Sequence, residues 1–305
     1  MNWRSGDADG ATGKEEKMAN TITNYTDSEI MKALITHNFN DIGGEFEDDV
    51  ITTVKAGAFY QAQNLTKVSL PSVTKVCHYA FTETSLSTLE LTWAALTSIG
   101  CQAFYKGWAA LPAALTLSNL TELGAGAFAG TSSAKNTKIT SVSLPRWTGA
   151  APASNGMASS SVGIFEYCSA LASVNAPELA TLTNYMFRYC TALEEIVLPK
   201  ARTMASNLFT GCTKLKKVDL GGEISSISSA FLPTGTNVFE ALILRGVTTV
   251  PTLGSSTFNS TKIASGAAYV YVPQSLEALF KVATNWSKYS AQIRAIEDYP
   301  DVCGS

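Results

Sequence analysis

Histidine is nearly missing from this 305-residue chain. Only His37 and His78 are present, which leaves little material for a Ser-His-Asp centre or a His-rich metal site. Charge is scarce as well: charged residues make up 15% of the sequence, against roughly 25% in an average soluble protein. With 22 Lys plus Arg facing 25 Asp plus Glu, the net charge is −3. Such a chain has no basic stripe to neutralise phosphates, so a nucleic-acid partner is not expected. No run of 18 apolar residues occurs, and the first 30 residues lack the apolar core of a signal peptide; no membrane insertion is expected. The hydrophobic fraction of 46% is nevertheless enough for a continuous core.

The ends read differently from the middle. Residues 1–24 are polar and aperiodic, as in a disordered leader or an extension ahead of a start at Met18. Thr26 and Glu29 have capping-box spacing before Ile30, Ala33 and Leu34, which predicts a short helix over 27–36 inside an N-terminal cap at 25–50. The acidic cluster Asp41, Glu45, Glu47, Asp48 and Asp49 fails the calcium-loop pattern because Ile42 occupies a ligand position. It reads as a solvated edge.

The middle is a repeat. A Phe recurs at Phe59, Phe81, Phe104, Phe128, Phe165, Phe187, Phe209, Phe231 and Phe258, mostly at intervals of 22 to 24 residues. Triplets of apolar-x-apolar type keep the same phase: Val68-Ser-Leu70, Leu89-Glu-Leu91, Val142-Ser-Leu144, Ile196-Val-Leu198, Val218-Asp-Leu220, Leu242-Ile-Leu244 and Val270-Tyr-Val272 among them. Pro71, Pro145, Pro177, Pro199 and Pro273 directly follow such triplets. A third register runs through pairs such as Val73/Val76, Leu96/Ile99, Leu120/Leu123 and Leu179/Leu182. The triplets are half-buried strands, ended by a Pro that has no N–H to donate. A unit of 22 residues cannot bury its own apolar positions, so units must stack into a parallel β-solenoid. The Gly/Ala/Ser-rich stretch 146–163 reads as a loop inserted between two turns.

Units such as AGAFYQAQNLTKVSLPSVTKV, YMFRYCTALEEIVLPKARTM and NLFTGCTKLKKVDLGGEISSI resemble the BspA-type leucine-rich repeats of surface proteins from gut and oral bacteria, some protists and phage-like elements. The resemblance covers about residues 50–297. It implies a mainly β fold: a right-handed parallel solenoid of about nine leucine-rich turns over 51–273, with short helical N- and C-terminal caps, the latter at 274–305. It also implies an adhesin-like, non-catalytic module whose partner is a host or bacterial surface protein or glycan, with no cofactor. The alternative within the same resemblance is a phage virion or tail-associated protein bound to other virion proteins. Location follows as cell surface or virion, with a cytoplasmic stay until release because no signal peptide is evident.

Cys168, Cys190 and Cys212 recur at 22-residue intervals just after the Phe corner. A zinc site would need a fourth ligand, so they read as free, small apolar fillers at a tight corner. Cys77 and His78 are adjacent and would point to opposite faces of a strand, which removes a nucleophile-base pair. Tyr60, Tyr105, Trp108, Tyr167 and Tyr189 gather near the Phe corners and are expected to pack there. Function is therefore sought on the outward x positions of the strands. The first five rows are small and nearly neutral, whereas the last four carry charge and two tyrosines. The candidate binding residues are Glu194, Glu195, Lys216, Lys217, Asp219, Tyr269 and Tyr271, with the tyrosine pair expected to stand clear of the core.

Overall fold

The computed structural model describes residues 44–152, 161–227, 231–233 and 238–304. The helix expected over 27–36 and residues 153–160 of the inserted loop lie outside them. Within them the chain climbs as a parallel β-solenoid. Its strand face runs in chain order from Gly44–Glu47 through Leu65–Leu70, Thr88–Leu91, Ala114–Thr116, Ser141–Ser143, Ser173–Asn175, Glu195–Leu198, Lys217–Leu220, Ala241–Leu244 and Tyr269–Val272 to Ile293–Ala295. Sequence-adjacent strands pair in parallel within three sheet segments. The ladder thus extends one strand beyond the expected solenoid at each end, into both regions read as caps.

Register follows from the alternation. Val68 pairs with Leu89, and Ile196, Val218, Leu242, Val270 and Ile293 form one inward column. These side chains are at most 7% exposed. A slip by one residue would turn the whole column to solvent. A second, narrower face carries Thr53–Val54, Lys75–Val76, Ser98–Ile99 and Glu122–Leu123. Beside it, the hydroxyls of Thr74, Thr97 and Thr121 donate to the carbonyls of Thr52, Thr74 and Thr97 at 3.4, 3.1 and 3.2 Å. Each threonine thus satisfies a backbone acceptor of the preceding turn.

The Phe corner is the most regular part. Seven rings, from Phe59 to Phe209, stack with centroids 5.0 to 5.8 Å apart and interplanar angles of 2 to 12°. The backbone here turns through left-handed conformations two residues before and after the Phe. Tyr79, Gln102, Tyr185 and Asn207 hold positive φ on one side, and Gln61, Glu83, Lys106, Tyr167 and Tyr189 on the other. Left-handed non-glycine residues cost on the order of 1 kcal/mol each. The cost is offset by hydrogen bonds to the next turn, such as Gln61 N–H to Thr82 O at 2.9 Å and Tyr167 N–H to Arg188 O at 2.8 Å. The reading of Cys168, Cys190 and Cys212 as buried corner residues agrees with this geometry. Their thiols reach the carbonyls of Phe128, Phe165 and Phe187 at 3.3, 3.2 and 3.0 Å, and burial pushes the Cys212 thiol up to about 12.

The inserted loop does not interrupt the corner: Phe128 N–H donates to Ile164 O at 3.1 Å. Its boundary differs from the expected 146–163. Trp147 is fully buried and takes the same place after Leu144 that Leu120 takes after Leu117, with its indole N–H donating to Ala150 O at 2.8 Å. The chain leaves the solenoid only after this residue. It returns through Gly163, where a Cβ would lie 1.8 Å from the Tyr185 carbonyl oxygen. A second excursion, closed by Thr131 N–H to Ala134 O at 2.7 Å, accounts for the rest of the long Phe128 to Phe165 interval.

At the far end the helix Gln274–Val282 buries Leu276 and Phe280 over the core. Leu279, which the apolar spacing of Leu276, Leu279 and Phe280 predicts on that same face, is 54% exposed. It lies three residues after Leu276 but only one before Phe280, about 100° away from the latter on a helical turn.

Candidate strand-face binding site

Outward positions on the strand face form columns across the turns. One column runs Glu195, Lys217, Ala241, Tyr269; the next runs Val197, Asp219, Ile243, Tyr271, Arg294. The sequence rule that x positions face solvent holds for the first part of each column. Glu194, Glu195 and Val197 are exposed. Lys216 binds Glu194 and Lys217 binds Glu195, both at 2.9 Å across adjacent turns. The hydrogen bond from Lys216 holds the Glu194 carboxyl below its ordinary range and raises the Lys216 ammonium above its own. Opposite charges on neighbouring strands thus support the stack as well as decorate it.

The rule fails further along. Asp219 is 5% exposed and Tyr271 only 3%, so two candidate residues expected to face outward are covered. Tyr271 is covered by the C-terminal segment, whereas Asp219 is held by Arg245 of the next turn. After Ile293–Ala295 the chain turns back as Ile296–Asp298 and Pro300–Cys303. There Ile296, Tyr299 and Cys303 form an apolar cluster with Ala241, Ile243, Tyr269 and Tyr271 on the outer face. Tyr271 meets Tyr299 edge-on at 5.5 Å, and burial pushes its phenol up. Asp219 accepts from the Arg245 guanidinium at 2.9 Å, which raises the Arg245 pKa. The Arg294 guanidinium lies 3.3 Å from the Tyr269 ring centre and 4.7 Å from that of Tyr299. Tyr271 therefore does not stand clear of the core, and its truncation would disturb packing.

Other sites carry less. Tyr167 and Tyr189 stack at 4.5 Å. Tyr189 also lies against Gly211, where a Cβ would sit 2.2 Å from its ring, and keeps 36% of its surface exposed. Arg188 covers the Tyr185 ring at 4.2 Å and binds the buried Glu166 carboxylate. His78 is buried with Nδ1 accepting the Cys101 N–H at 2.8 Å. A cleft of about 480 Å³ at the root of the inserted loop is lined by Cys101, Leu123, Val162, Ile164 and Leu182, with Thr183 and Asn184 as its polar side chains. Among the described residues no group of three His, Cys, Asp or Glu could hold a metal ion. No described helix is long and apolar enough to cross a membrane.

Known proteins agree with the solenoid. The family model for the BspA type leucine rich repeat region matches residues 38–146 and 159–283 in six copies. Among crystal structures, the pneumococcal vaccine antigen PcpA is similar at 16% identity and a TM-score of 0.52, over 84% of this chain and 68% of that one. A leucine rich cell surface protein from Faecalibacterium prausnitzii A2-165 is 17% identical with a TM-score of 0.39, over 86% of this chain and 62% of that one. A leucine-rich repeat protein from Bacteroides ovatus ATCC 8483 is 16% identical with a TM-score of 0.34, over 84% of each. No curated protein matches the chain.

Proposed function

The chain belongs to the BspA-type leucine-rich repeat family, and from that membership we propose that it is a non-catalytic recognition module. It acts at a bacterial cell surface and binds a protein or glycan through the open part of its strand face. The observation that carries this reading is Val197. It is 48% exposed on a strand whose backbone is locked in a ladder, with Glu195 two residues before it and the Lys217 ammonium on the next turn. An apolar anchor ringed by charge on a rigid surface loses little conformational entropy when a partner docks. Glu194, Glu195, Lys216 and Lys217 form the rim of that site, and the half-buried Tyr269 marks its far boundary.

A screen of glycan and protein arrays supplies the ligand for the test. Val197→Asp is expected to weaken that ligand by at least about tenfold, or 1.4 kcal/mol, without shifting the melting curve. Unchanged affinity in this variant, with affinity lost on deleting residues 153–160, would move the site to the inserted loop.

A further inference from the structure

The outer face of the last turns is not bare, and the manner of its covering differs from everything beneath it. Every solenoid turn is tied to its neighbours by backbone hydrogen bonds. In the segment Ile296–Gly304, the N–H groups of Tyr299, Val302, Cys303 and Gly304 all donate back within the segment, to Ile296, Tyr299 and Pro300. What holds the segment down is its side chains: Ile296, Tyr299 and Cys303, at i, i+3, i+7 spacing, lie against Ala241, Ile243 and Tyr271, and the exposed Glu297 carboxylate accepts the Gln274 N–H at 2.9 Å. The helix Pro300–Cys303 is four residues long and has no side-chain cap, so it has little stability of its own. The other five cysteines lie within the solenoid turns; Cys303 alone belongs to the outer cluster.

We propose that Ile296–Gly304 is a releasable strap: it opens as a unit while the solenoid stays folded, and in opening it uncovers Ala241, Ile243 and Tyr271 as a continuation of the Val197 column. The uncovered surface suits a partner segment that presents one aromatic and one small apolar anchor a helical turn apart, as the strap does with Tyr299 and Cys303. This consequence rests on the strand face being the binding surface; the opening itself does not. A partner that used these rows would have its apparent affinity reduced by the fraction of time the strap is closed.

The closed strap also shields a thiol. Cys303 is 5% exposed, and burial pushes its pKa up, so alkylation reports opening. Native protein treated with N-ethylmaleimide, with sites mapped by mass spectrometry, is expected to label Cys303 at least about a hundredfold faster than the fully buried Cys168, Cys190 and Cys212, because local opening is more frequent than global unfolding. Tyr299→Ala is expected to speed Cys303 labelling by about tenfold or more, to gain binding of the dye 1-anilinonaphthalene-8-sulfonate, and to leave solenoid melting in place. Tyr299→Phe, which keeps the ring contact, is expected to label at the wild-type rate. Labelling of Cys303 in step with the core cysteines would overturn the strap. So would a Tyr299→Ala variant whose solenoid melting falls in proportion to its faster labelling. Neither readout involves a ligand, so failure of the strap and failure of the strand-face reading are distinguishable.

Discussion

The seven-ring stack at the Phe corner and the aromatic group that closes the solenoid use the same side chains in different ways. Between Phe59 and Phe209 successive rings lie nearly parallel. Past that point Phe231 and Phe258 tilt by 54° at 6.4 Å. Phe258 then meets Trp286 and Tyr289 edge-on, and Phe280 meets Trp286 at 75°. A parallel ring offers its face to one more copy, whereas an edge-on ring offers none. The stack is a geometry for continuing, and the closing group is a geometry for stopping. In a one-dimensional array an interior residue supports two interfaces and a terminal one supports a single interface.

That contrast can be broken at either end. Phe165→Ala removes a fully buried ring from between Phe128 and Phe187 and is expected to cost about 3–5 kcal/mol, lowering the denaturant midpoint of the whole array. Phe280→Ala is expected to cost about 3 kcal/mol at most, read as an early transition confined to the C-terminal turns in hydrogen exchange. A single cooperative loss equal to that of Phe165→Ala would show that the closing group is not separable from the stack.

A milder probe lies on the corner surface. Glu83 accepts hydrogen bonds from Lys106 Nζ and Gln61 Nε2 at 2.7 and 2.8 Å, which hold its carboxyl below the ordinary range. A depressed folded-state pKa means that the unfolded chain binds this proton more readily. The stabilisation is therefore present above the usual carboxylate value of about 4.3 and lost as pH falls through the lower folded value. The melting difference between wild type and Glu83→Gln, measured across that window, is expected to be present at neutral pH and to close in acid. The smallest effect belongs to Val197→Asp, expected within about 0.5 kcal/mol of wild type because it touches neither stack nor closure.

Much of this was legible in the sequence because translation along the solenoid axis is written as a period in residue number. The Phe series, the apolar triplets and the Cys168, Cys190 and Cys212 series all mark inward positions that meet their own copies. Trp147 was missed because it follows Pro145-Arg146 and begins a small-residue stretch, so a single large core side chain was read as loop. Leu279 was misread because a nine-residue helix over the solenoid end buries a narrower stripe than its apolar residues suggest. Val197 stood in its row from the start, but only its neighbours' burial singled it out.

By itself the sequence determined the repeat, the strand phase, the Phe corner and the family, since each of these depends on contacts between equivalent positions one turn apart. Only the tertiary structure decided which outward residues meet solvent. Asp219 and Tyr271 sit in the same strand position as the exposed Val197, and no local pattern separates them. Asp219 is paired with Arg245, and Tyr271 is covered by a segment that folds back across the sheet; neither contact has a period to announce it.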